Sequence, residues 1–488
     1  MSLLSRLGSR FRAEFLGSVV ATGVGALLVF VLARLLDPDG YGLLFLAISV
    51  ISVVRIFSTL GIAKSAARYV AEYRERDPGQ VPHVLDRSLL LNLATILIVS
   101  VAFLLANRPI VGLIGEPGLG PFLLLGTLYV VTGSLAVYAR RIAQAFEEIE
   151  LAATLTVIEN GCRLVFGIGV VLLGFDALWV LGAFVLGAGL ASATGFTVLY
   201  ARHYRGAPRA DRMEPGLFRR IVEYNVPLTV TGMTGKIDKD VDTILVGFFI
   251  NPVAVGYYVL SKQIVQALGM PVRALGFSIS PVYGKQKAAK RLDTAARVFE
   301  TSFSYTLLLY VPAAAGVFFV ASPAVELVFG TDYAGAVPVL QVLSAYLVLG
   351  AITKITDEPL DYLGRARERA IAKSIAATGN VALNVLLIPW IGVVGAAIAT
   401  VITHSFYVSV KLWVVYTELP VRTHFMAKEL AVVLAITVAM SLVVTAALPY
   451  VNGLLSLFLV VLLGAATWSA LSLVSGVVDV GTVRRAIS

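Results

Sequence analysis

Residues 178–200 read LWVLGAFVLGAGLASATGFTVLY, a run of 23 residues without a charged side chain. Residues 201–220 follow as ARHYRGAPRADRMEPGLFRR, with six arginines: Arg202, Arg205, Arg209, Arg212, Arg219 and Arg220. About 20 apolar residues span a bilayer as a helix, and Arg/Lys-rich segments stay on its cytoplasmic side. The pair therefore reads as a membrane span that ends inside. The pattern recurs along the chain. Of 488 residues 58% are apolar and 14% charged, and the mean hydropathy is +0.87. Soluble domains hold roughly 45–50% apolar and 25% charged residues, so a soluble enzyme and a disordered chain are excluded. One cysteine, Cys162, excludes an intrachain disulfide and a cysteine-based zinc site. The histidines, His83, His203, His404 and His424, are too scattered to suggest a metal cluster.

The predicted fold is an all-α polytopic membrane protein with fourteen transmembrane helices, at 15–36, 41–61, 88–106, 121–139, 153–175, 178–200, 221–250, 253–279, 301–320, 338–356, 371–389, 392–417, 429–449 and 453–477. Residues 1–14, with Arg6, Arg10 and Arg12, read as a basic amphipathic segment lying on the membrane surface. The charges in the loops test the count. Every second loop is rich in Arg and Lys, while Arg108 stands alone in the opposite loops. Both termini are expected in the cytoplasm. No loop on the opposite face is long enough for a soluble domain, so the protein's work is expected within the membrane.

Pro38 and Gly42 of DPDGYG (37–42) correspond to Pro252 and Gly256 of NPVAVG (251–256), and Tyr69 falls on Tyr283. The chain reads as a parallel repeat of two six-helix lobes, 15–200 and 221–417. A basic cytoplasmic linker, 201–220, joins them, and a helix pair and tail follow at 418–488. Parallel repeats suit alternating access, with a site between the halves.

The order and spacing of LLDPDGYG (35–42), VDTILVGFFINPVAVGYY (241–258), VFGTDYAGAVPVLQVLSA (328–345) and NVLLIPWIGVVGAAIAT (384–400) resemble the polysaccharide-biosynthesis, O-antigen (Wzx-like) flippases of the MOP exporter superfamily. The resemblance covers roughly 10–480. It implies a two-lobed transporter, not an enzyme. Such a protein moves a polyprenyl- or dolichyl-(di)phosphate-linked oligosaccharide from the cytoplasmic to the outer leaflet of the plasma membrane. The partners expected are that lipid and membrane lipids, with no nucleic acid, and the protein is expected to act as a monomer. A multidrug/cation antiporter of the same superfamily is the alternative, and a membrane-embedded glycan polymerase or glycosyltransferase a more distant one. Asp37-Pro38-Asp39 is the D-x-D an enzyme reading needs, but its counterpart Asn251-Pro252-Val253 keeps only the proline, as a turn would.

Ionisable residues inside spans are costly, so they face a cavity or a partner. Arg55, Arg163, Lys236, Lys262 and Arg273 lie deepest and are the candidate cationic cleft for the substrate phosphate. The alternative for Arg163 is a structural pair with Glu159, four residues away. Arg34 and Lys411 stand near span ends and are expected to snorkel to the interface. No cofactor is expected beyond a possible coupling ion, sodium or a proton. Some resembling members hold sodium with oxygens from spans 7, 11 and 12. That resemblance implies Asn380, Asn384, the Ala396 carbonyl and Thr400, with Asp242 or Asp238 supplying the negative charge, because Asn384 stands where those members have an acid. The alternative for the two asparagines is hydrogen bonding between helices.

Overall fold

The computed structural model describes residues 23, 25, 27–272 and 291–476, without the side chains of 226–239, 358, 362 and 425. Among these residues the chain is all helix and turn, with no strand. After a helical run at 27–35 come α1 (Pro38–Thr59), α2 (Ile62–Arg76), α3 (Val81–Ile114), α4 (Leu119–Ala145), α5 (Ile149–Leu172), α6 (Ala177–Leu199), α7 (Leu217–Phe249) and α8 (Pro252–Leu268). Then follow α9 (Leu292–Phe329), α10 (Ala336–Leu363), α11 (Ala366–Ile391), α12 (Val393–Glu418), α13 (Thr423–Ala447) and α14 (Leu454–Val474). Eleven helices among the described residues are long and apolar enough to cross a membrane. The amphipathic segment 1–14, the first part of the first expected span and the end of the eighth lie outside the described residues. Helix α7, the seventh expected span, carries five charges between Lys236 and Asp242.

Local chemistry sets the helix ends. Asp37 caps α1 by accepting from the Gly40 amide at 3.1 Å, with Pro38 in the first turn, where its missing N–H costs nothing. The D-x-D is thus a helix start. Asp176 caps α6 in the same way. Helix α1 stops where Leu60 and Gly61 both take left-handed backbone, at φ 36° and 71°. Its last turn is closed by the Ser58 and Thr59 hydroxyls, which donate to the Arg55 carbonyl.

The chain divides into two compact units, Met1–Gly256 and Tyr257–Ser488. In the first, α4, α5 and α6 form a close-packed trio, and α1 lies against α4 and α7. Small residues permit the approach. A Cβ on Gly187 of α6 would lie 2.7 Å from the Glu159 carbonyl of α5, and one on Gly195 2.8 Å from the Ala139 Cβ of α4. At the start of α1, a Cβ on Gly42 would overlap the Pro252 carbonyl, and one on Gly256 would lie 2.5 Å from the Pro38 carbonyl. The linker is strapped to this unit. Gln80 donates to the Arg212 carbonyl at 2.9 Å and accepts from the Glu214 amide at 3.0 Å. Tyr73 and Arg220 both bond the Glu214 carboxylate, and the Tyr73 bond above all holds that carboxyl below the usual carboxylate range.

In the second unit, α10 and α11 both pack on α12, and α9 carries α10 and the pair α13–α14. The pair is joined to α9 by an apolar cluster of Val320, Met440, Val444, Leu457 and Val460, and by the Trp468 indole, which donates to the Leu308 carbonyl at 2.9 Å.

Candidate functional site

The first unit gathers arginines around one carboxylate. Glu159 of α5 is 4% exposed. Arg163, one turn along the same helix, and Arg140 of α4 both donate to it. Arg163 also donates to the Tyr129 hydroxyl at 2.7 Å and to Asn160 at 3.3 Å, with its guanidinium 4.8 Å from the Phe184 ring centroid. Arg55 of α1 reaches into the same group. Its guanidinium lies 4.9 Å from the Tyr129 centroid and acts on Glu159 through space. Gly133 makes room for it, since a Cβ there would sit 2.7 Å from the Arg55 Cζ. Three guanidiniums therefore face one carboxylate. Aromatic faces hold two of them, and among the described residues the buried Arg55 Nε has no hydrogen-bond partner.

So Arg55 and Arg163 are brought together, and the Glu159–Arg163 pair is real as well. Arg140 lies one residue past the fourth expected span, 121–139, where an inner loop is expected. It turns instead along α4 into the cluster, and no spacing within one helix signals a partner on the next. Lys262 of α8 lies 5.3 Å above the Tyr258 ring centroid. Arg273 lies outside the described residues, and the side chains of Lys236 and Asp238 are outside the description.

The proposed cation ligands divide between the units. Asp242 of α7, in the first, is 3% exposed. In the second, Asn380 and Asn384 of α11 face Ala396, Thr400 and Thr403 of α12, with Asn384 and Ala396 fully buried. Asn384 donates to the Asn380 side-chain oxygen at 3.0 Å, and Asn380 to the Thr403 hydroxyl at 3.4 Å. The Thr400 hydroxyl donates to the Ala396 carbonyl at 2.9 Å and lies 3.3 Å from the Tyr258 hydroxyl. These oxygens, of the type a hard cation prefers, stand on two packed helices. The Asn380–Thr403 bond joins the two helices, as interhelical bonding would.

Lys411 does not snorkel. It is 1% exposed, and its ammonium donates to the Thr353 carbonyl and the Asp357 carboxylate, each at 2.7 Å. Arg369 of α11 lies 3.7 Å from the same carboxylate and binds Asp361 at 2.8 Å. A buried ammonium needs such partners. The sequence reading overlooked Asp357, which lies just past its boundary for the tenth span.

Compact units of long apolar helices, with buried charge inside, define the class: a polytopic helical membrane protein. The chain matches the profile of the polysaccharide biosynthesis protein family over residues 13–287, and it belongs to that family. It is 23% identical over 465 residues to the probable low-salt glycan biosynthesis flippase Agl15 of Haloferax volcanii, covering 94% of each chain. It is 28% identical over 165 residues to the probable flippase AglR of the same organism, a third of each. Among solved structures, the lipid II flippase MurJ in an inward closed conformation superposes with a TM-score of 0.76 at 16% identity, covering 94% of this chain and 97% of that one. An inward-facing MATE family multidrug resistance transporter of the MOP superfamily gives 0.66 at 15%, covering 80% and 93%. At these identities the structures establish a shared fold.

Proposed function

We propose that the protein flips a polyprenyl- or dolichyl-(di)phosphate-linked oligosaccharide from the cytoplasmic to the outer leaflet of the plasma membrane. It does so by alternating access between two six-helix lobes of a fourteen-span chain, as a monomer with both termini inside. The observation that carries this reading is the cluster of Arg55, Arg140 and Arg163 around the single carboxylate of Glu159. Excess guanidinium inside a membrane protein lowers the cost of bringing a phosphate there. It would repel a cationic drug, which speaks against the antiporter reading. The flippase names of the Haloferax relatives support the same substrate class.

Coupling belongs to the same proposal. Asn380, Asn384, the Ala396 carbonyl and Thr400 would hold a sodium ion, with the negative charge falling to Asp242 or Asp238; the ion supplies a driving gradient.

The test is transport in vesicles. A fluorescent lipid-linked oligosaccharide loses signal to a membrane-impermeant quencher as it reaches the outer leaflet. Arg55→Ala and Arg163→Ala are expected to slow that loss at least tenfold while the protein still inserts. Arg55→Lys should recover part of it, keeping charge but losing the two-pronged geometry. Unchanged transport in the double alanine variant would overturn the reading.

A further inference from the structure

Helix α9 has 38 residues, roughly 57 Å at 1.5 Å per residue, against a hydrocarbon core of about 30 Å. Its first turns therefore project to headgroup depth. There, with Pro420 and Arg422 from the segment entering α13, they line a cavity of about 500 Å³. One wall is fixed. Glu300, 1% exposed, accepts from the Arg422 amide at 2.7 Å, from its Nε at 3.0 Å and from its Nη2 at 2.5 Å. That carboxylate is committed to Arg422. Two further guanidiniums line the space. Arg297 makes one long bond, 3.4 Å to the Thr294 hydroxyl, and no ion pair within 4.0 Å among the described residues. The Arg291 side chain makes no hydrogen bond or ion pair among them. Asp293 is the one other acid in the lining. The first amides of α9, which has no side-chain cap, add their partial positive charge.

We infer that this cavity is a site for a phosphate-bearing headgroup. Guanidiniums match phosphate with paired, charge-assisted bonds. A volume near 500 Å³ suits a glycerophosphate-sized group. The depth suits a phospholipid whose tails run along the apolar surface of the helices. A soluble phosphate offers the same chemistry, and the two sources are separable. The site lies wholly in the second unit and does not depend on the transport reading.

The experiment uses the full-length protein in detergent micelles. Native mass spectrometry counts retained phosphatidylglycerol, with phosphatidylcholine as the zwitterionic control. Wild type is expected to retain phosphatidylglycerol preferentially. Arg291→Gln/Arg297→Gln should reduce retention at least threefold, while Arg141→Gln/Arg205→Gln, which removes the same charge elsewhere, should not. In a parallel arm, melting is followed in inorganic phosphate against chloride at equal ionic strength. Stabilisation by phosphate that needs Arg291 and Arg297, without preferential lipid retention, assigns the site to a soluble phosphate. Arg291→Gln alone is the guard against misfolding, since among the described residues that side chain makes no hydrogen bond or ion pair. Equal retention by wild type and both Arg291 variants, with no phosphate effect, overturns the inference.

Discussion

Glu159 holds the cationic cluster together, and its removal should be felt first as lost stability. Without it Arg140 and Arg163 would face each other in a buried setting with no counter-charge. Breaking a buried pair costs about 3–5 kcal/mol, so Glu159→Ala should lower the melting temperature sharply. Gly133→Ala should act differently, because its Cβ meets the Arg55 guanidinium at 2.7 Å. Arg55 must move while the ion pairs stay, so transport should fall with a stability loss of only about 1–3 kcal/mol. Equal melting of Glu159→Ala and wild type would remove Glu159 from this role. Lys411 and Asp357 give a second residue-scale test. Asp357→Asn strands the buried Lys411 ammonium, and Lys411→Met leaves Asp357 only the longer contacts with Arg369 at 3.7 Å and Lys354 at 3.9 Å, whereas the double change leaves no buried ammonium unpaired. Melting curves should show the double variant more stable than the singles' sum predicts, by about 0.5–3 kcal/mol. Strict additivity would show that the pair contributes nothing. The i,i+4 pairing of Glu159 with Arg163 could be read from one helix. Arg140, Tyr129 and Asp357 could not, because which face of one helix meets which face of the next is settled by packing, and the sequence of one span carries no record of its neighbour.

At the scale of elements, hydropathy and loop charge located the helices well, since length and apolar content are what a bilayer selects. A helix stands at each expected span from the second onward, but α7 and α8 are not among the eleven that, of the described residues, are long and apolar enough to cross a membrane. The second expected span ends at 61, where Leu60 and Gly61 break the helix, but the amphipathic α2 beyond it has no counterpart among the expected spans. The α11–α12 pair shows where such reading stops. Spacing placed Asn380 with Asn384 and Ala396 with Thr400, and the structure sets them on facing helices, joined through Thr403. Cation binding and interhelical bonding call for the same groups, so the arrangement serves either. Melting in sodium against potassium at fixed ionic strength separates them. At one hundred times its Kd a ligand stabilises by about 2.7 kcal/mol. A sodium-specific rise is expected for wild type and is expected to vanish in Asn380→Ala and Asn384→Ala. If wild type melts identically in both salts, the amides are interhelical bonds, and coupling passes to a proton.

The proposed orientation of the whole molecule rests on its charge asymmetry, and the linker makes it testable. Six arginines lie in 201–220, and Lys285, Lys287, Lys290, Arg291 and Arg297 lie in and around the segment before α9. Carrying one arginine to the bilayer centre costs about 2.5–3.5 kcal/mol even on the mildest scale, so both segments should stay on one side. Between them run α7 and α8, which the proposed topology reads as two spans that leave and return. With Cys162 replaced by serine, single cysteines at 76, 209, 287 and 367 should be protected from an impermeant maleimide added outside intact cells. Cysteines at 39, 117 and 332 should react with it. The decisive pair is 209 and 287. If α7 and α8 cross as two spans, both positions are shielded, and both react only after the membrane is opened. Were one of them labelled from outside, the strongly charged α7 would not be a span, every later helix would be inverted, and the parallel relation between the two halves would be lost with it.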